Sequence, residues 1–506
     1  MNNGIFGEIG AKAKRPGVNL PDLPVVVFIA VIWLLNGSQA IFLPYSDLAY
    51  GLGYDGAWYF DPANSFFPRM DNYHLFRIAP STFVYFSKLF IFKDHDYSST
   101  VRAFQLMNLL WISLSIWVSG RIASYLNFSQ MRTWFYLSIL FLNFHVLKDS
   151  YFNPIMTDSF VFFLSNLLVW FFISGNQKGL FITFILMLFS FPIGGFLLQM
   201  FYLFYRVQER EQEFLLPKAI GKYLGICMAA LFLILTSVIV YGLGLKTVLT
   251  FPDDINPWLF PISLITVSGL LFFIIERHSN LFQLLFLIKK LRIDLQRISI
   301  IFFILTIAIY IFVPFLNHNP AKGFTGNFSI GPPIYLTLKP FIGYFDNIMY
   351  LGPIILLFLL FQYRFIKFYK LNLSYLFFSF FLNLFLLKPE ARHTLFLLPI
   401  LALLVARFVD VELIRKGELI FFVLLCLLFS KFWYPTYLAT FPPAREIFTS
   451  KVNHAIFQEF PIQHYFMFIG PLISHVNYFI WSGIILILSI YTWMLGRRLF
   501  GTSISN

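Results

Sequence analysis

Charged side chains are scarce in this sequence: Asp, Glu, Lys and Arg make up 12% of its 506 residues, against roughly 25% in soluble globular proteins. Hydrophobic residues make up 58%, and the mean hydropathy is +0.75. Apolar runs of about 17–25 residues recur along the chain, which is the length that a helix needs to cross a bilayer. The composition therefore predicts an all-α, polytopic transmembrane helix bundle, with 1–506 forming one integral membrane domain.

Cysteine is nearly absent. Cys227 and Cys426 both lie in apolar runs, offer no disulfide framework or zinc spacing, and are interpreted as small buried thiols. None of the nine histidines is interpreted as pairing with an acid at the i, i+4 spacing of a helical metal motif. We therefore predict no metal site, although Asp253 and Asp254 leave a divalent cation, Mg²⁺ or Mn²⁺, open as a cofactor. The alternative, which we favour, is that these two loop acids are solvated.

Basic residues orient the chain, because Lys and Arg in short loops favour the cytoplasmic side. They cluster at both ends, so both termini are predicted to be cytoplasmic, which requires an even number of crossings. No cleavage pattern follows the first apolar run, so that run is interpreted as a retained helix. The predicted crossings are 24–43, 98–119, 132–147, 155–174, 219–244, 258–275, 298–316, 343–362, 371–387, 393–409, 417–434 and 477–495.

One apolar segment, 179–205, breaks the alternation because both of its flanks are basic. Pro192 and the glycine pair after it lie at its centre, where a helix is expected to break. We interpret it as two half-helices that enter and return on the inner side. The alternative is a full crossing here with a second crossing at 78–92, which we otherwise interpret as a helix on the outer surface.

This topology places the long loops outside: 44–97, 246–257, 317–342 and 435–476. The first of them carries Asp55 next to Trp58 and Tyr59, followed by Arg69, His74 and Arg77. A carboxylate and a cationic cluster in one loop suit a phosphate leaving group and an acceptor hydroxyl that must lose its proton. The alternative is an interfacial loop whose charges are solvated.

Three further polar positions lie on the same predicted side. Asp158 begins a predicted helix, Lys322 lies in a Gly- and Asn-rich loop, and Arg392 and His393 follow a predicted helix end. Ionisable groups at membrane depth usually face a cavity, and Arg binds phosphate in a fork geometry. The alternatives are a helix cap for Asp158, a plain connector around Lys322 and a surface ion pair at Arg392.

Four short motifs resemble those of the GT-C superfamily of polytopic membrane glycosyltransferases, in its mannosyltransferase-like branch. They are Tyr54-Asp55-Gly56 followed by Trp58-Tyr59, then Arg77-Ile78-Ala79-Pro80, then Thr157-Asp158, and finally Glu390-Ala391-Arg392-His393. The layout is also similar, with a first helix followed by a long outer loop.

The resemblance implies transfer of a sugar from a polyprenyl-phosphate carrier to a glycan, lipid or protein acceptor on the non-cytoplasmic face. It implies that Asp55 is the catalytic carboxylate and Asp158 a supporting one. Arg77 and Arg392 would bind phosphate, with Arg69, His74, Lys322 and His393 as further substrate-binding candidates.

Two other classes of function stay open. A lipid or polysaccharide transporter, or a non-catalytic subunit of an envelope assembly, would carry buried charges within helices and often paired repeats, and no repeat is evident. A lipid-linked glycan polymerase or ligase would use a large late outer loop, for which 435–476 is suitable. The net charge of +13 is assigned to inner loops and anionic lipid rather than to nucleic acid, and a bacterial inner membrane is favoured over the endoplasmic reticulum.

Overall fold

The computed structural model of the chain describes residues 23–42, 59–60, 63–64, 77–91, 97–152, 154–155, 157–208, 218–243, 258–278, 339–368, 373–388, 391–409, 415–433 and 475–500. Within these ranges the regular secondary structure is entirely helical, with no strand. The all-α prediction is confirmed to that extent.

The α-helices of the described ranges are numbered here in chain order. They are α1 (Leu23–Phe42), α2 (Ala79–Ile91), α3 (Tyr97–Tyr125), α4 (Gln130–Phe141), α5 (Asp158–Ser174), α6 (Gln177–Leu188), α7 (Pro192–Gln208), α8 (Lys218–Leu243), α9 (Leu259–Arg277), α10 (Ile342–Leu351), α11 (Ile354–Phe368), α12 (Leu373–Leu387), α13 (Leu398–Phe408), α14 (Lys416–Ser430) and α15 (His475–Phe500). A π-helix (His145–Asp149) and a single helical turn (Ser150–Phe152) lie between α4 and α5, and a 3₁₀-helix (Ala391–Leu397) leads into α13.

Several helix ends follow directly from local chemistry. Ser129 caps α4 by accepting a hydrogen bond from the Arg132 N–H at 3.3 Å, and Asn176 caps α6 in the same way from Gly179 at 3.0 Å. Gly175 ends α5 in the left-handed conformation, at a φ of 71° that glycine adopts without steric cost. These turns make α4, α5 and α6 short, well-defined elements.

The segment predicted to be a broken helix is α6 followed by α7. The break lies at 189–191, directly before Pro192, which has no backbone N–H to continue the hydrogen-bond ladder. The N–H of Phe191, directly before the proline, still donates to the carbonyl of Met187, four residues earlier, at 2.8 Å. That both helices enter from one side of the membrane remains a prediction.

One predicted crossing, 343–362, is wrong as a single helix. Gly352 has a φ of 87° and is followed by Pro353, so the chain turns between α10 and α11. The break sets Ile342–Leu351 apart as a short helix of its own, and α10 carries several of the polar residues described below.

Apolar side chains form one large core that extends from α1 to α15, and many others project outward. Phe90 of α2 is 87% exposed and Leu34 of α1 is 73% exposed, as expected where lipid rather than water surrounds the bundle. In the described ranges, three helices are long and apolar enough to span a bilayer: Ser99–Tyr125, Leu259–Arg277 and Ala391–Phe408. The count of twelve crossings remains a prediction, and 298–316 lies outside the described residues.

The two cysteines differ in environment. Cys426 is buried, as predicted, but Cys227 is exposed on α8. The prediction for Cys227 is wrong because an apolar run does not reveal which face of a membrane helix contacts protein and which contacts lipid.

Candidate functional site

A polar cluster lies where several helices begin at one end of the bundle. Asp158 is the first residue of α5, Arg77 lies two residues before α2, and Arg392 lies in the first turn of the 3₁₀-helix. The carboxyl group of Asp158 lies within electrostatic range of both guanidinium groups and of the His145 imidazole. Three site residues that are predicted from separate stretches of the sequence therefore meet at one place.

Phe191, in the break between α6 and α7, supports the cationic side of this cluster. The guanidinium carbon of Arg77 lies 5.4 Å from the centroid of its ring, within the range of a cation–π interaction. The His393 ring stacks on Phe191, with centroids 5.7 Å apart and planes 15° from parallel. One aromatic ring thus holds two groups that the sequence predicts to bind substrate.

Lys388 adds a fourth basic group to the same surface, beside Arg77, Arg392 and His393. Its Nζ lies 2.8 Å from Nδ1 of His393, and because an ammonium group only donates, this Nδ1 accepts and leaves Nε2 as the protonated nitrogen. The side chains of Arg77, Lys388, Arg392 and His393 are all half-buried. The cluster is therefore held by the protein and still reachable from outside it.

Hydrogen bonds to backbone carbonyls hold the segments that carry these side chains in position. The N–H of Ala79 donates to the Phe189 carbonyl at 3.0 Å, which ties the start of α2 to the α6–α7 break. The amide of Asn347 donates to the carbonyl of Lys388 at 3.1 Å, and the hydroxyl of Ser165 donates to the carbonyl of Phe396. The α6–α7 break, the end of α12 and the 3₁₀-helix are each anchored to a neighbouring element.

Behind the cationic surface lies a buried triangle of His145, Asp149 and Tyr350. The Tyr350 hydroxyl donates to Oδ2 of Asp149 at 2.6 Å, and Nδ1 of His145 lies 3.1 Å from the Tyr350 oxygen and 3.5 Å from the same carboxylate oxygen. His145 and Asp149 are the two ends of the π-helix, a rare conformation that is frequent at functional sites.

The sequence reasoning missed this triangle. His145 and Asp149 are four residues apart, so the interpretation that no histidine pairs with an acid at that spacing is wrong. The spacing itself was a detectable signal, whereas Tyr350 gave none because it lies 201 residues from Asp149.

A second buried cluster surrounds Asp346 of α10. Asp346 is within electrostatic range of Lys339 and Lys431, and all three are at most 1% exposed. The Nζ of Lys431 lies 5.4 Å from the ring centroids of both Phe144 and Trp481. An acid inside a predicted crossing was the signal that could have found this cluster.

Lys148 of the π-helix lies between the two clusters. It is 4% exposed and within electrostatic range of Lys431. Burial lowers the pKa of Lys148 to about 8, because the charged ammonium loses its hydration.

Part of the first predicted outer loop is anchored by a buried lysine. Lys88 of α2 donates to Oδ1 of Asn64 and to Oγ1 of Thr100, each at 2.5 Å, and Thr100 donates to the same Asn64 oxygen at 3.0 Å. Asn64 is thereby held against α2 and α3.

Four predicted site residues lie outside the described residues: Asp55, Arg69, His74 and Lys322. The same holds for Asp253 and Asp254, the candidates for a divalent cation. Within the part of the chain that the structure describes, no group of three or more His, Cys, Asp or Glu side chains is placed to hold a metal ion.

The site therefore combines an acid, a surface of basic groups and a buried hydrogen-bonded triangle at one end of an apolar bundle. Such an arrangement suits binding of a phosphate group next to a carboxylate that orients or deprotonates a hydroxyl. Comparisons of the chain with protein-family models, with curated proteins and with solved structures gave no match.

Proposed function

We propose that this protein is a membrane glycosyltransferase that moves a sugar from a polyprenyl-phosphate carrier to an acceptor hydroxyl on the non-cytoplasmic face. The observation that carries the proposal is the meeting of Asp158 with Arg77 and Arg392. A half-buried carboxylate beside two guanidinium groups provides both halves of such a reaction: a group for the acceptor and groups for the phosphate.

In the proposed reaction the acceptor oxygen bonds to the anomeric carbon of the sugar. The bond from that carbon to the carrier's phosphate oxygen breaks, and its electron pair leaves with the polyprenyl phosphate. Arg77 and Arg392 stabilise the negative charge on the departing phosphate. The proton of the acceptor hydroxyl passes to a carboxylate, for which Asp158 is a candidate beside Asp55, the residue that the family resemblance favours.

An apolar cavity lies beside the helices that carry the site. It lies between α11, α12 and α13, lined mainly by Phe358, Phe365, Tyr375, Phe378, Leu401 and Leu404. Because α13 continues the 3₁₀-helix that carries Arg392, the cavity supports a carrier whose phosphate lies at the cationic surface and whose chain runs along the helices.

The test uses the purified full-length protein in nanodiscs with a radiolabelled polyprenyl-phosphate sugar and extracted membrane lipids as acceptors. Asp158→Asn is expected to lower the transfer rate by at least about a hundredfold, because the amide does not accept the proton. Reactions with EDTA, Mg²⁺ or Mn²⁺ determine whether a divalent cation takes part.

Arg77→Gln has a closely matched control. Arg121 is also a half-buried arginine beside an aromatic ring, 5.3 Å from the centroid of Trp117, but it lies near the far end of α3. Arg77→Gln is expected to raise the KM for the donor about tenfold or more through the loss of a charge-assisted hydrogen bond, whereas Arg121→Gln leaves it unchanged. Equal effects of the two substitutions would contradict the phosphate-binding role.

A transporter of lipid-linked glycans is the second candidate, because Asp346, Lys339 and Lys431 are buried charges inside the bundle. The assay above separates the two functions, since transfer produces a new glycosidic bond in nanodiscs. Movement of an unchanged carrier across sealed proteoliposomes, with no new product in nanodiscs, would instead support transport.

A further inference from the structure

His145 has a polar neighbour on each ring nitrogen, although the residue is only 1% exposed. Nδ1 faces Tyr350 and Asp149 at 3.1 and 3.5 Å, and Nε2 lies 3.4 Å from Oγ of Ser159. Ser159 directly follows Asp158, so the ring links the buried triangle to the helix that carries the candidate acid.

Hydrogen-bond accounting fixes where the ring proton lies. An ionised Asp149 only accepts hydrogen bonds, and Tyr350 donates its single hydroxyl hydrogen to Asp149 at 2.6 Å. Both neighbours of Nδ1 therefore present acceptor oxygens, which requires Nδ1 to carry a hydrogen. In the neutral ring Nε2 is then unprotonated, and it faces Ser159 as an acceptor.

We propose that His145 is a positioning residue that stores the proton taken up by Asp158, with Asp149 and Tyr350 fixing its tautomer. This inference rests on the proposed function. The acceptor hydroxyl gives its proton to Asp158, and the neighbouring Ser159 hydroxyl, 3.4 Å from Nε2 of His145, relays a proton to the ring and forms an imidazolium. The proton returns by the same route and leaves on the departing phosphate, so that the reaction neither gains nor loses a proton.

Charged groups of both signs lie around the triangle. The ionisable groups that face the triangle are Lys148 and Asp149 on the π-helix, Tyr350 on α10, Asp158 on α5, Arg392 on the 3₁₀-helix, and Lys431 beyond α14, which acts on Lys148. The described side chains of α1, which packs on the π-helix, include no ionisable group.

A different role for the same atoms is a Ser-His-Asp nucleophilic triad. The chain order and the contacts of Ser159, His145 and Asp149 fit that pattern. Ser159 is only 1% exposed, however, so its hydroxyl is not at the surface. The geometry therefore favours proton storage over covalent catalysis.

The tautomer is tested by ¹⁵N NMR of the full-length protein in nanodiscs with labelled histidine. The signal that disappears in His145→Gln identifies the residue. A ring protonated on Nδ1 and unprotonated on Nε2 near neutral pH is expected, and Asp149→Asn is expected to disturb that pattern. A ring protonated only on Nε2 would overturn the inference, whether or not the protein transfers sugars.

The kinetic test separates kcat from KM. His145→Gln is expected to lower kcat by at least about tenfold with little change in KM. The control is His278→Gln, a buried histidine after α9 that contacts Ser379 at 3.0 Å, far from the site in the chain. That variant is expected to keep the wild-type kcat and KM.

The two proposals fail in different ways. If wild-type protein transfers no sugar from any carrier, the proposed function fails, and the NMR result still decides the tautomer. If the wild type transfers sugar and His145→Gln keeps the kcat of the wild type, only the role of His145 fails. Should His145→Gln not fold, Tyr350→Phe removes one acceptor facing Nδ1 without removing the ring and is expected to lower kcat as well.

Discussion

Burying the charged side chains around Asp346 costs free energy of hydration. These residues therefore indicate which side chains depend on one another for stability. In the described part of the chain, the carboxylate oxygens of Asp346 and the Nζ of Lys431 have no hydrogen-bond partner. The two groups nevertheless lie within electrostatic range of each other. A buried ion loses its hydration, and only an opposite charge offsets that loss. Asp346 and Lys431 should therefore act on stability as a pair.

Removing one member of this pair should destabilise the protein more than removing both. Asp346→Leu leaves the ammonium group of Lys431 buried without its carboxylate, and we expect a loss of about 3–5 kcal/mol. The double variant Asp346→Leu with Lys431→Met leaves Lys339 as the one remaining charge of this cluster and should recover part of that loss. Thermal unfolding in detergent measures both, and a double variant no more stable than the single one would show that the two charges are not coupled.

At the scale of the elements, the site depends on how α10 meets the end of α12. Gly343 lies so close to this end that an added Cβ would clash with the carbonyl oxygen of Leu387, at 1.9 Å. Asn347, one turn later on α10, donates to the carbonyl of Lys388. The close approach and the hydrogen bond together place Lys388 beside His393.

Gly343→Ala tests this packing against helix propensity. Alanine stabilises a helix interior by about 1 kcal/mol relative to glycine, but the backbone clash at Gly343 must separate α10 from α12. We therefore expect lower thermal stability and weaker donor binding, because Lys388 moves. Gly269→Ala in α9 is the matched control, since an added Cβ there meets nothing within 4 Å. Its stability should be unchanged or higher, and similar results for both variants would contradict the role of the contact.

Some of these elements are predictable from sequence and some are not. Pro192 marks the start of α7 because proline chemistry is local, and α2 lies at 79–91, where 78–92 was expected. The division at Gly352-Pro353 was missed because hydropathy averages over the break. The π-helix was missed for another reason: an extra residue in a helical turn changes the hydrogen-bond pattern but not the apolar composition.

For the whole molecule, the sequence predicts which residues are polar in an apolar chain but not which of them meet. Asp158, Arg77 and Arg392 were identified from separate motifs, and their convergence depends on the packing of α2, α5 and the 3₁₀-helix. Lys339 and Lys431 were not singled out, because each looks like an ordinary basic flank of a predicted helix. Tertiary contacts such as Tyr350 with Asp149, 201 residues apart, are set by that packing and leave no local pattern.

The last prediction concerns the orientation of the whole bundle, on which the proposed reaction depends. Trp433 follows Lys431 at the site end of α14 and is exposed, and Gln130 is exposed at the opposite end of α4 from the π-helix. At about 1.5 Å per residue, α4 separates its two ends by about 18 Å. The two positions therefore report on opposite ends of the bundle.

Single cysteines at these positions decide which end faces outward. In a background that lacks Cys227 and Cys426, Trp433→Cys should react with a membrane-impermeant maleimide in intact cells, because a lipid-carried sugar is transferred on the non-cytoplasmic face. Gln130→Cys should react only after the membrane is permeabilised, since basic residues on both sides of that turn favour the cytoplasm. The reverse labelling pattern would place Asp158 and its arginines on the cytoplasmic side, and transfer on the non-cytoplasmic face would then be excluded.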